Sequence, residues 1–152
     1  MAGSQIIAIV SSLATTLDAV TGVQRVYKYE PTVLKASDIP TILGGSQAID
    51  YWTIRAESTD PVRFAGYQME LNHVVTFRHY YTIGDASVTE PLLDVIIVAV
   101  FDRFSTVFAI APQAEVTGPL AITWPVARMI GETFLVWYTE YRLPVKELIV
   151  VQ

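Results

Sequence analysis

The chain has 152 residues, enough for one domain with a sizeable core, yet only 16% of them are Asp, Glu, Lys or Arg, against about 25% in an ordinary soluble domain. Ten basic and 15 acidic residues give a net charge of −5, which argues against a nucleic-acid-binding module with its basic footprint. No cysteine is present, which excludes a disulfide framework, a thiolate zinc site and a thiol nucleophile.

A compact monomer of this size exposes roughly 7,700 Å². Each charge must then keep roughly 300 Å² in water, against about 200 Å² at average composition. The apolar share, 52%, is raised less than the charge is lowered. The anomaly therefore belongs to the surface, and a surface poor in charge is suited to meeting other protein.

Met1 to Gln5 has no Lys or Arg ahead of its short apolar run, unlike a signal peptide, and Ala2 in place of Gly removes the myristoylation motif. Ile6, Val10, Leu13, Leu17 and Val20 recur at helical spacing, and Gly22 is placed to end that helix. Val23 to Tyr29 alternates as a strand. Lys35 to Asp50 holds a short apolar piece, Ile39-Pro40-Thr41-Ile42-Leu43, before Gly44-Gly45, within a long loop. Ile49 to Glu57 reads as a strand and Ser58-Thr59-Asp60-Pro61 as a turn.

Met69 to Ile83 is the clearest strand, with Leu71, His73, Val75, Phe77, His79 and Tyr81 on one face and a polar set on the other. Its length predicts a bulge or an extension beyond the domain body. Ser87-Val88-Thr89-Glu90 fits a capping box, with Pro91 in the first helical turn. Leu93, Ile96, Ile97, Val100, Phe104 and Val107 make a wide stripe, and Ala99 and Phe101 leave little polar surface opposite, so this helix is expected to be central, ending before Pro112. Asp94, Asp102 and Arg103 would each cost about 2.5–3.5 kcal/mol in mid-membrane; the expectation is a protein soluble in the cytoplasm when made, with no membrane partner. Leu120 to Ala127 and Thr133 to Arg142 are two further strands, the first turned toward a sheet edge by Pro125. The expected fold is a single α+β domain over residues 1–152: a mostly antiparallel or mixed sheet with the N-terminal helix and a long central helix on one face.

Catalytic patterns are missing from the sequence. His73 and His79 share a strand face but lie about 20 Å apart, too far to ligate one ion, so both are expected to be packed and hydrogen-bonded. Asp94 and Asp102 are about 12 Å apart along the helix and about 80° apart around it, which is no carboxylate dyad. Gly44-Gly45 lacks a P-loop or dinucleotide fingerprint, and neither a nucleophile elbow nor a zincin motif occurs. Arg25, Lys28 and Lys35 form a loose basic group beside Glu30 and Asp38, expected to be a solvated face. The expectation is no enzyme, no cofactor and no metal.

The order of elements resembles a known family. A short amphipathic helix (Ile6 to Val20) precedes Asp38-Ile39-Pro40-Thr41-Ile42. A long strand ends His79-Tyr80-Tyr81-Thr82-Ile83, then a Pro-started helix opens at Glu90-Pro91-Leu92-Leu93. Phe134-Leu135-Val136-Trp137-Tyr138-Thr139-Glu140-Tyr141-Arg142 closes the chain. This resembles the tail terminator, or tail completion, proteins of long-tailed bacteriophages and related head–tail joining and minor tail proteins, across most of the chain. The resemblance implies a structural virion subunit, made in the host cytoplasm, that forms a ring, typically a hexamer. Such a ring caps the tail tube protein, ends its polymerisation and joins it to a neck or connector protein. DNA passes through the lumen without tight binding. Interface residues are expected at Ile39, Pro40, Ile42 and Leu43 in the loop, and at Trp124 and Tyr138. Two alternatives stand beside it: a small-ligand carrier or enzyme whose apolar pocket is faced by His73, His79 or Tyr81, and another neck or tail-tube subunit.

Overall fold

Two long strands, paired with each other over 15 residue pairs, carry the architecture. The computed structural model describes residues 4–29, 49–63, 66, 68–82, 86–105, 108–111, 114–130 and 134–150. In chain order the elements are α1 (Ile6–Asp18), β1 (Val26–Tyr27), β2 (Asp50–Arg63), β3 (Gln68–Thr82), α2 (Ala86–Phe104), β4 (Ala109–Ala111), β5 (Ala114–Val116), β6 (Ala121–Ile130) and β7 (Phe134–Val150). The strands form one mixed sheet in the order β1-β2-β3-β7-β5-β4, and β6 pairs with β7 on the edge that β5 also uses. β1 runs parallel to β2, and the other pairs are antiparallel. The α+β class and the two helices on one sheet agree with the sequence.

β3 reaches its length because it is central, paired with β2 on one side and β7 on the other from end to end. The bulge expected of it lies in β2 instead, between Ala56 and Ser58. Ser58-Thr59-Asp60-Pro61 is accordingly not a turn. These residues pair with Val74 to Leu71, and Pro61 is tolerated because β2 has no second neighbour there among the described residues. The strand expected over Val23 to Tyr29 contracts to Val26–Tyr27.

β7 continues well past Arg142, because Leu143, Val145, Glu147 and Ile149 alternate into the interior. Pro144 sits where the neighbour changes from β6 to β5, and Thr117 N–H donates to its carbonyl at 3.1 Å. α2 starts two residues earlier than expected, which puts Ser87 inside the helix rather than at its cap and Pro91 in its second turn. It ends at Phe104, and Val107 of the expected stripe lies outside the described residues.

The main core lies between the helices and one sheet face. Ile9, Leu13 and Leu17 from α1, Leu93, Ile97, Val100 and Phe104 from α2, and Trp52, Ile54, Val75, Phe77, Tyr141 and Leu143 from the sheet are buried there. α1 therefore turns Ile9 fully inward, while Ile6, Val10 and Val20 of the expected stripe are only half-buried. After α1 the chain turns at Gly22, whose φ of +92° suits glycine and where a Cβ would meet Ile96 Cγ1 at 3.1 Å. A second cluster covers the other sheet face: Ile49, Tyr51, Tyr80, Ile130, Val136 and Tyr138, with Tyr27 against it. Tyr51 stacks on Tyr80 at 4.8 Å, and Tyr80 meets Tyr138 at 5.4 Å.

The Tyr141 hydroxyl, in the main core, has no hydrogen-bond partner among the described residues, and burial pushes its phenol far above the ordinary 10. An unpaired buried hydroxyl costs about 1–3 kcal/mol. Tyr141→Phe is expected to raise the thermal midpoint by a few degrees; a lower midpoint in calorimetry would mean that the hydroxyl is bonded.

Candidate subunit interface

α2 is apolar on both sides. Its inward stripe fills the core, but Val88, Leu92, Val95, Val98 and Phe101 point outward at helical spacing and are exposed. The helix is thus central to the core and yet leaves an apolar face in water. Beside it, β6 has no second strand neighbour among the described residues. Pro125 offers no N–H, the β6–β7 register breaks between Thr123 and Val126, and Trp124 is turned out to 57% exposure. Val126, Met129 and Leu135 on the same hairpin are about half exposed.

Trp124 joins helix and hairpin. It lines a 340 Å³ cleft with Ile97, Val98, Phe101, Leu120 and Ile122. It also lines a 250 Å³ cleft with Glu90, Leu93, Asp94, Pro125 and Trp137. Fully burying one such side chain is worth about 1.5–3 kcal/mol at about 25 cal/mol per Å², hence roughly 60–120 Å² each. Val126, opposite Tyr138, faces the side of the second cluster; the other eight, about half exposed, offer roughly 240–480 Å² of apolar surface. One partner of a standard interface contributes about 800 Å², a little over half of it apolar. The patch matches one side of a specific protein contact.

Fewer large apolar side chains are exposed along the opposite sheet edge. Ile7 is 83% exposed, Tyr29 and Val62 are exposed, and a 360 Å³ cleft is lined by Ile6, Ile7, Val10, Ser11, Lys28, Ile54, Arg55 and Ala56. A fourth cleft, of 380 Å³, lies between the end of α1 and Ala99, Asp102 and Arg103 of α2.

Of the six residues expected at an interface, Trp124 lies at the centre of the larger patch. Tyr138 is 7% exposed in the second cluster, under the Arg128 guanidinium at 4.4 Å from its ring centroid, so its side chain is not on the surface. Ile39, Pro40, Ile42 and Leu43 lie outside the described residues. The outward stripe of α2 was not expected as an interface, although Val95 to Phe101 runs without a polar residue.

The histidines are packed, as expected, each beside a carboxylate. His73 is 2% exposed; its Nδ1 is 2.8 Å from Thr59 Oγ1 and its Nε2 3.0 Å from Glu147 Oε1. Glu147 is fully buried and also accepts Ser4 Oγ–H at 2.9 Å and the Gln5 N–H at 2.6 Å. Burial pushes its carboxyl up, but the Gln5 N–H, His73 and Ser4 together pull it below the ordinary 4.5. Thr59, His73 and Glu147 have the composition of a nucleophilic triad. Here both carboxylate oxygens are committed to the start of α1 and the imidazole is enclosed, so the arrangement fastens α1 to β7 rather than activating a hydroxyl. Among the described residues no group of three or more metal-ligating side chains occurs.

His79, fully buried, stacks on Trp52 at 4.1 Å and 9°, with Nε2 2.8 Å from Asp50 Oδ1. Burial lowers its pKa below 6.5, opposed by the Asp50 hydrogen bond and charge. The unfolded chain thus takes up this proton at a higher pH than the folded one. Stability is complete above about pH 6.5 and falls as the pH drops below it, with Glu147 adding a second loss below about pH 4.5. The thermal midpoint is expected to decline from pH 7 to pH 5, and His79→Gln to flatten that decline. A midpoint rising on acidification would contradict the assignment.

The outer sheet face carries a set of ion pairs: Arg78 with Glu140 (3.7 Å), Arg142 with Glu57 (3.7 Å), and Lys146 with Glu115 (3.1 Å) and Glu70 (4.0 Å). Thr76 also donates to Glu57, and that bond, ahead of the opposing effect of burial and with Arg142 and Arg78 nearby, lowers the Glu57 carboxyl. No helix of the described residues is long and apolar enough to cross a membrane. No protein-family model matches the chain, and no curated protein matches it.

Proposed function

We propose that the protein is a structural virion subunit that assembles into a ring, most simply a hexamer, at the top of a phage tail tube. There it ends tube polymerisation and joins tail to neck. The observation that carries this proposal is the apolar face of α2 and the β6–β7 hairpin, which has the apolar area of one side of a standard subunit contact. The α+β fold and the element order that resembles tail terminator proteins support it. A role as another neck or tube subunit would draw on the same surface. The small-ligand alternative has less support, because the clefts described above, as far as the described residues show, are not lined by His73, His79 or Tyr81.

The test is a termination assay. Added to polymerising tail-tube protein of the same phage, the subunit is expected to bind tube ends as a ring and fix tube length. Tubes of unchanged length with bare ends would refute the terminator role. Free duplex DNA should bind weakly even at about 50 mM salt, because the net charge is −5 and Arg78, Arg142 and Lys146 already face carboxylates. Sub-micromolar affinity in an anisotropy titration would instead favour a DNA-gripping neck component.

A further inference from the structure

We propose that the α1–β2 edge of one copy docks on the α2–β6 face of the next, in a head-to-tail contact between unlike surfaces. The inference rests on the ring reading above and names the two surfaces that would close the ring. The exposed large apolar side chains fall into two groups at opposite edges of the sheet. Ile7, Tyr29 and Val62 lie on the β1–β2 side, and those of α2 and the β6–β7 hairpin on the other.

Charge distinguishes the two. Glu90 and Asp94 line the cleft beneath Trp124, and Asp102 lies farther along the same helix. Arg103, in its last turn, sits 5.3 Å from the Phe108 ring centroid. Lys28 and Arg55 line the cleft beside Ile7, and among the described residues no acidic one lines it. None of Glu90, Asp94, Lys28 and Arg55 has an ion-pair partner among the described residues, unlike the charges of the outer sheet face. All four are exposed beside these apolar side chains.

An acidic patch meeting its own copy across a two-fold axis is opposed by like charge, whereas acidic on basic is favoured. A contact between two different patches of one chain propagates, and it either closes into a ring or extends into a filament. The partner that fits the α2–β6 face is therefore a second copy of this chain, presented by its other edge.

Paired charge reversals test this by solution mass. Glu90→Lys with Asp94→Lys, and separately Lys28→Glu with Arg55→Glu, are each expected to weaken assembly at least tenfold. Mixing the two reversed proteins, or combining all four changes in one chain, is expected to restore it, since each altered patch again meets its opposite. Recovery on mixing also shows that both variants are folded. If the wild type assembles and the reversals have no effect, or mixing fails to rescue while the fourfold variant is folded and monomeric, this contact is wrong and the ring stands on other surfaces. A wild type that stays monomeric at every concentration overturns the contact and the ring together.

Discussion

Glu147→Ala is expected to lower the midpoint of thermal unfolding by roughly 6–20 °C. Removing one member of a buried charged cluster costs about 3–5 kcal/mol, and each kcal/mol is worth about 2–4 °C in a chain of this length. The loss is large because three groups depend on one carboxylate. Gln5 at the α1 N-cap makes no side-chain cap of its own, and the first turn of α1 holds no acidic residue. Glu147 supplies both from 142 residues away, accepting the Gln5 N–H and placing negative charge at the positive end of the helix. The substitution also strands His73, which is closed off from water. Glu147→Gln keeps the shape and one acceptor and is expected to lose about half as much. If Glu147→Ala melts within about 2 °C of the wild type, the cluster does not hold α1 in place.

Trp52→Ala is expected to cost a comparable amount, about 3–5 kcal/mol for a buried aromatic. Trp52 is fully buried, stacked on His79 and, at 5.3 Å, on Tyr141. Its loss opens a cavity at the meeting of β2, β3 and β7 and admits water to His79. The decline of stability between pH 7 and pH 5 should therefore shrink in the same variant, because the pKa of His79 is held down first by burial. Trp52→Phe should be far milder, since the indole N–H has no partner among the described residues. A Trp52→Ala protein with an unaltered pH profile would mean that something other than this stacking encloses His79.

The parts of the fold that were legible in the sequence are those with a clean period. β3 alternates over its whole length, and α1 repeats at helical steps, so both were placed within about two residues. The second half of β7 was not legible, because Pro144 reads as a strand end and Glu147 puts a charge in its inward set. Pro144 is accommodated by a change of neighbour and Glu147 by bonds to residues at the other end of the chain, and neither leaves a local trace. Ser58-Thr59-Asp60-Pro61 has the composition of a turn, yet long-range pairing with β3 overrides it. The histidines could be read as packed, but their carboxylate partners lie 29 and 74 positions away. Pro125 could be read as placing its strand at a sheet edge, though not as turning Trp124 outward. The stripe on α2 could not be read as exposed, because an apolar helix face looks the same whether the domain or a neighbouring copy covers it.

The proposed contact between the α2–β6 face and the sheet edge of a neighbouring copy is tested most directly by the mass of the protein in solution. Sedimentation equilibrium over a rising concentration series is expected to show the 16.9 kDa monomer giving way to one closed species, six-fold in the simplest case. A monomer at every concentration, with the apolar face of α2 still open to solvent, would contradict it.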